Sequence, residues 1–309
     1  MKLKYNGGLV VYLCMLFSMT FWSFSFIWYK EVYYYYSPIT TVFLRLIISS
    51  VLLLTTAAFL KKLNIKRKDF KLFLLTAFFE PFLYFLCESF GMQMVSSVTA
   101  AVIISTVPVF TCVIAASFLN ETLTRINIIG IIISFLGVGF VILKKGMQFD
   151  ASPFGICLMS LAVAAAIGYE VVLKKLTVIY EPITIIAIQN TIGAFLFAPL
   201  FFLFDFHVLL TTGISLAGII LVLKLAILAS SLAFILYAYG VNSIGLSKAN
   251  IFINLITVFT AVFAYLILNE KLSIAKIIGI VFVVCGLFFS QVKKSFVQKM
   301  LSIIKWEKE

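Results

Sequence analysis

Arg45, Glu80, Glu88 and Lys224 are ionisable side chains set inside long apolar stretches of this 309-residue chain. A charge at the centre of a bilayer costs about 2.5–3.5 kcal/mol on insertion scales, so such groups turn toward protein or water rather than lipid. Two are positive and two negative, which allows mutual neutralisation. The predicted pairs are Arg45 with Glu88 and Lys224 with Glu80. Glu80 and Glu88 lie eight residues apart, about 80° around a regular helix, so both can face one cavity. Two chemistries fit. The four can line a polar path through the membrane, with Glu80 the proton-carrier candidate, because burial disfavours the charged form of a carboxyl group. Or they can lock helices together as fixed ion pairs. Glu170, four residues before Lys174 and near the end of its stretch, fits an interfacial pair instead.

Pro81 follows Glu80 directly. A proline within a helix leaves the carbonyl four residues back without its partner and kinks the axis; here that carbonyl is Ala77, and for Pro108 it is Ile104. Freed carbonyls at membrane depth are tolerated where they face protein or a wet cavity; a packing kink is the other reading. Polar and aromatic residues that could line such a cavity are Trp22, Tyr84, Gln93, Tyr169, Asn190, Tyr237 and Asn254. Of these Trp22, Tyr84 and Asn254 join the four charges as site candidates. The tyrosines at 33–36 suit an interfacial aromatic belt.

No metal and no cofactor is expected. Cys14, Cys87, Cys112, Cys157 and Cys285 fall in apolar segments without a CxxC pair, as small core side chains do, and the single His207 cannot complete a zinc or haem set. There is no GxxxxGK[ST] loop to hold ATP, and no HExxH or GxSxG arrangement to support an intramembrane enzyme. A receptor or assembly subunit that carries nothing is the other rival, and no sensory domain accompanies the apolar stretches.

The elements that position these residues follow from composition. Hydrophobic residues make up 63% of the chain and charged residues 12%, with a mean hydropathy of +1.16. A soluble domain is about a quarter charged, so the solvent here is lipid. The net charge of +12 sits in short clusters between apolar runs rather than on one polar face, which argues against a nucleic-acid partner. Ten apolar stretches of spanning length are predicted, over residues 9–29, 38–60, 71–90, 96–119, 126–143, 154–173, 182–204, 216–239, 244–268 and 274–292. Each must be a helix, because lipid offers no hydrogen bonds to an open backbone. The first is expected to be retained, since Trp28-Tyr29-Lys30 offers no small-residue cleavage site. With the N-terminus inside, seventeen basic residues fall on the inner segments and five on the outer ones, so both termini are predicted to be cytoplasmic. The tail at 295–309 carries Phe296, Met300, Ile303 and Ile304 at helical spacing, which fits a helix lying on the inner leaflet or a frayed end.

The chain also repeats itself at an offset of 149 residues. Of the fifteen residues from Val109 to Leu123, nine are identical to those from Val258 to Leu272, including Asn120-Glu121 over Asn269-Glu270. In the following stretch Ile128-Ile-Gly-Ile131 matches Ile277-Ile-Gly-Ile280, and Gly137 matches Gly286. Apolar composition alone would not place Asn-Glu at the same step after the same Val-Phe-Thr. Each half, 9–145 and 154–294, holds five spans. An odd number obliges the second half to enter from the opposite side. Inverted repeats of this kind recur in transporters, with the substrate site between the halves near the midplane.

These features resemble the drug/metabolite transporter superfamily in its EamA-domain form. The resemblance covers residues 9–292 and rests on Phe21-Trp22-Ser23 through Lys30, similar to the family's Trp-Gly-Ser/Ala-Asn-Phe stretch, on Arg45, on Pro108, and on the Asn-Glu-x-Leu ends at Glu121 and Glu270. Ser23 and Phe24 depart from that stretch, and Thr257 stands where a second proline would match Pro108. The resemblance implies an all-α membrane protein of ten transmembrane helices in two inverted five-helix repeats. It also implies export or uptake of amino acids, other metabolites or drugs; with the repeat, the expectation is a secondary transporter of the bacterial cytoplasmic membrane that works by alternating access, with export the expected direction. The partners expected are a small-molecule substrate, the lipid bilayer and a coupling proton.

Overall fold

The computed structural model describes residues 8–111, 125–142 and 151–290. Ten helical segments and no strand occur among them. They are α1 (Gly8–Val32), α2 (Pro38–Phe59), α3 (Arg67–Met94), α4 (Ser97–Thr111), α5 (Arg125–Ile142), α6 (Pro153–Thr177), α7 (Pro182–Thr211), α8 (Leu216–Ile244), α9 (Leu246–Ile267) and α10 (Ile274–Ser290). Eight are long and apolar enough to cross a membrane, and α4 and α10 are shorter apolar helices. The predicted stretches and these helices coincide one for one, with α7 running past the predicted end at 204. That extension brings Asp205 into the bundle, where it accepts from the Thr40 amide at 3.0 Å and from the Thr40 and Ser37 hydroxyls. The N-terminus of α2 is therefore closed twice, by its own Ser37 cap and by a carboxylate from α7 at the positive end of the helix dipole.

Loops meet in two sets, as helices of alternating direction require. At one end the α2–α3 and α6–α7 connections touch. Lys62 pairs with Glu181, the Thr184 hydroxyl donates to the Lys62 carbonyl at 2.8 Å, and the Tyr180 hydroxyl donates to Asp69 at 2.7 Å. This end carries the Lys61–Lys71 basic cluster and is called inner below. At the other, outer end the Lys30 ammonium donates to the Met92 and Val95 carbonyls closing α3, at 2.5 and 2.6 Å. There too Glu270 accepts from the Ser97 amide at 3.1 Å, capping α4 beyond its own Ser96. Asn269 before it takes a positive φ of 53°. Asn120 and Glu121, their repeat mates, lie outside the described residues, as do Cys112 and the tail. The tyrosine belt is half as long as expected. Tyr34 and Tyr35 are exposed, whereas Tyr33 donates to the Ser89 carbonyl and buried Tyr36 bridges to Ser215. Cys157 and Cys285 likewise face outward rather than into the core.

The repeat is visible as a contact. Helices α5 and α10 cross antiparallel with backbone almost touching backbone. A β-carbon on Gly130 would sit 2.6 Å from the Gly286 carbonyl oxygen, and one on Gly137 would sit 2.7 Å from the Gly279 carbonyl oxygen. The offset of 149 relates Gly130 to Gly279 and Gly137 to Gly286, so exchanging the halves converts the first pair into the second. One contact is thus made twice about a pseudo-two-fold axis, and only glycine permits that approach. The third helix of each half is also irregular at the same place. A wide π-type turn occupies Phe78–Leu83 in α3 and Leu225–Leu232 in α8, and the former shifted by 149 falls inside the latter. In α3 the backbone at Glu80 is extended (φ −148°, ψ 120°), directly before Pro81. The 80° relation between Glu80 and Glu88 therefore does not apply, since the helix is broken between them. In α4 the helix is interrupted at Ser105–Thr106, ahead of Pro108, and the Thr257 hydroxyl of α9 meets Ser105 Oγ at 2.6 Å. Thr257, the residue in the proline's repeat position, supplies a side-chain tie to that break.

Candidate functional site

A cavity with a free volume of about 60 Å³ lies in the core between the two halves. Its walls are aromatic, with Trp22 from α1, Tyr84 and Phe85 from α3, Tyr169 from α6, and Phe234 and Tyr237 from α8. Trp22 leans on Phe234 and Tyr237 with ring centroids 5.0 and 5.1 Å apart. Four ionisable side chains reach it: Arg45, Glu80, Glu88 and Glu170, all buried.

Toward the outer end, Arg45 donates from Nε to Ser230 Oγ at 2.7 Å and from a terminal nitrogen to the Tyr29 hydroxyl. Its guanidinium lies 4.2 Å above the Phe85 ring. The Tyr29 hydroxyl also faces Glu88, which accepts from the Tyr84 hydroxyl at 3.0 Å. Arg45 and Glu88 are thus brought together as predicted, but not as a direct ion pair: among the described residues the contact ion pair is Lys62–Glu181, and a phenol stands between these two charges.

Toward the inner end, Glu170 is 3% exposed rather than interfacial. Its Oε2 accepts from Asn250 Nδ2 at 2.8 Å and lies 2.9 Å from the Thr111 hydroxyl; its Oε1 lies 2.9 Å from the Tyr237 hydroxyl, which is itself 2.8 Å from Asn250 Oδ1. The i,i+4 spacing to Lys174 does not produce the expected interfacial pair. Lys174 is exposed, while Glu170 turns inward to meet Tyr237 of α8 and Asn250 of α9. Tyr237 and the neighbouring Tyr169 are legible in the sequence as lining candidates; the signal for Glu170 is an acid amid the Ala-rich run of α6, which its spacing to Lys174 masks as an interfacial pair.

Between these clusters lies Glu80. Among the described residues it makes no hydrogen bond and no ion pair, yet it is 6% exposed and faces the cavity. The predicted Lys224–Glu80 pair does not form. Lys224 is exposed on the outside of the bundle, its ammonium 6.0 Å from the Trp28 ring centre, on the face of α8 away from buried Leu221, Val222 and Leu225, while Ser230 in the π-type turn that follows faces the interior. A long lysine stem on a lipid-facing surface reaches the interface by extending along it. Asn254 is buried but lines a separate apolar groove against α10, with both amide atoms unpartnered. Asn190 ties α7 to Ser49 and to the Ser230 carbonyl at 2.7 and 2.9 Å, and Gln93 is exposed at the end of α3. Replacing Lys224 by Glu170 changes the balance: three carboxyl groups and one guanidinium surround the cavity, not two of each.

Ten apolar helices in two inverted halves around a charged, aromatic, buried cavity define a multi-pass integral membrane protein of the transporter class. The sequence profile of the EamA-like transporter family matches residues 9–143 and again 153–291, so the chain belongs to that family. Its relatives include the uncharacterized transporter YoaV of Bacillus subtilis (strain 168), 27% identical over 233 residues, which cover 74% of this chain and 78% of that protein. An uncharacterized transporter of Archaeoglobus fulgidus is 29% identical over 225 residues, covering 73% and 79%. A crystal structure 14% identical superposes with a TM-score of 0.68 over 92% of this chain and 98% of the other, a likeness of fold.

Proposed function

We propose that this membrane transporter is a secondary active exporter, in a bacterial cytoplasmic membrane with both termini cytoplasmic, of a small amine-bearing organic solute such as an amino acid, metabolite or drug. One observation carries the substrate class: Glu80 is a buried carboxyl group facing the cavity with no hydrogen-bond or ion-pair partner among the described residues. Arg45 is engaged by Tyr29 and Ser230 and faces Glu88 through the phenol, so Glu80 is left to meet a cation from outside. The aromatic walls suit that cation, since ring faces attract an ammonium. Alternating access fits the volume. About 60 Å³ holds a few waters, so a larger solute enters only when the halves part. A proton on Glu80 can stand in for the solute, which is the proposed coupling. The orientation is supported by the seventeen-to-five distribution of basic residues.

The test is a thermal-shift screen of the purified protein against metabolites paired with their N-acetylated, uncharged counterparts. Flux of the best amine into proteoliposomes, with and without a pH gradient, then reads transport and its direction. Amines are expected to stabilise the protein and their acetylated partners not. Glu80→Gln is expected to weaken amine binding at least about thirtyfold, the scale of losing a buried charge partner. Equal stabilisation by both members of each pair, or unchanged flux in Glu80→Gln, overturns the reading.

A further inference from the structure

The hydrogen-bonded ring at the inner end of the cavity contains one more contact than its neutral side chains have protons to fill. Glu170, Tyr237 and Asn250 form three mutual contacts: Oε1 to the phenol at 2.9 Å, the phenol to the amide at 2.8 Å, and the amide to Oε2 at 2.8 Å. The phenol supplies one proton. The amide supplies one, because its nitrogen faces one neighbour and its oxygen the other. Turning the amide over does not help: the nitrogen then serves the phenol, and the amide oxygen meets Oε2 with no hydrogen between them. Oxygen atoms this close need a proton between them. In either orientation the third proton must be on Glu170. The Thr111 hydroxyl, 2.9 Å from Oε2, has the Val107 carbonyl at 3.0 Å as its alternative acceptor and adds none to the ring.

We propose that Glu170 is a proton-binding site, separate from Glu80, whose occupancy latches α6, α8 and α9 together at the inner end of the bundle. Glu170 stands on α6, Tyr237 on α8 and Asn250 on α9. With the proton bound, Glu170 donates to the phenol, the phenol donates to the amide oxygen, and the amide nitrogen donates back. When the proton leaves to water, the phenol turns to the carboxylate and the Tyr237–Asn250 contact becomes oxygen against oxygen without hydrogen. The ring then opens where α8 meets α9. The groups facing Glu170 favour this arrangement. Thr111 of α4, Tyr169 of α6, Tyr237 and Asn250 carry no charge, Glu80 of α3 is of like charge, and Arg45 is engaged at the opposite end of the cavity. Lys174 and Lys248 are exposed, so no described cation is at hand to replace the proton.

The inference shares its cavity with the proposed function but needs no substrate, so its test is made on the protein alone. Infrared spectra of the full-length protein in lipid nanodiscs, at neutral pH, are expected to contain a carboxylic-acid C=O band that Glu170→Gln removes and Glu80→Gln does not. Hydrogen–deuterium exchange over residues 246–256, corrected for the chemical rate, is expected to rise of order tenfold as pH is raised, the scale of losing one hydrogen bond. Glu170→Gln can donate through its amide as the protonated acid does, and is expected to hold exchange slow at every pH; Tyr237→Phe is expected to hold it fast. An unchanged band in Glu170→Gln, or a pH-dependent rise that persists in that variant, overturns the proposal. Failure of amines to bind leaves these readouts unmoved and bears only on the substrate.

Discussion

Removing Arg45 should damage this protein through Glu88 rather than through lost contacts alone. Arg45→Met keeps the volume of a fully buried side chain while deleting its donations to Tyr29 and Ser230. It also leaves Glu88 facing Tyr29 and Tyr84 without a nearby cation. Truncating one side of a buried charge pair costs about 3–5 kcal/mol, largely the penalty of the charge left behind. Because a phenol separates the two, their separation is on the order of 6 Å, the length of two hydrogen bonds in series. At an effective dielectric constant of about 20 the attraction is then about 3 kcal/mol. Glu88→Gln removes the stranded charge, so Arg45→Met/Glu88→Gln should recover much of the loss. Equilibrium unfolding of the wild type, both single variants and the double variant in detergent gives the coupling directly, with about 2–3 kcal/mol expected. A coupling below about 0.5 kcal/mol, the additivity found for independent sites, would show that Arg45 and Glu88 do not compensate each other and that Arg45 is held by its hydroxyl partners only.

At the crossing of α5 and α10, Gly137→Ala forces a methyl group to within 2.7 Å of the Gly279 carbonyl and should cost about 1–3 kcal/mol in unfolding free energy, whereas Gly139→Ala, with nothing within 4 Å, should be neutral. Thermal unfolding of the two variants side by side decides it, and equal stabilities would contradict the contact geometry. Lys224→Met should leave amine flux within about twofold of wild type, since the lysine lies outside the cavity and an isolated exposed charge contributes little. A large loss of flux would return Lys224 to the pathway that the sequence assigned it.

Much of the architecture was legible because the bilayer leaves few options. Ten apolar stretches of spanning length had to be helices, and among the described residues their sequence limits differ from the observed ones by one or two turns at the ends, as where α7 runs on to Thr211. The inverted arrangement followed from an odd number of spans per repeat, and the Gly130–Gly286 and Gly137–Gly279 contacts are its geometric counterpart. Trp22, Arg45, Glu80, Tyr84 and Glu88 could be named because a charge or polar aromatic in a membrane helix must turn inward. Lys224, Asn254 and Glu170 were misplaced for one shared reason. Lipid-facing and core-facing surfaces of these helices are equally apolar, so the 3.6-residue periodicity that orients a helix in a soluble protein carries little information here.

The sequence by itself therefore determined where the chain crosses the membrane, that it does so in two opposed halves, and which rare polar residues had to find partners. Only the tertiary structure decided the rotation of each helix. It puts Lys224 outside and sets Ser230, in the π-type turn that follows, against Arg45. Side chains of α8 and α9 close over Glu170, and beside the break in α3 Glu80 faces the cavity without a hydrogen bond or ion pair among the described residues. Rotation is set by side-chain packing and by which polar groups can meet, and those meetings join residues far apart in the chain, as Arg45 and Ser230 are at 185 positions.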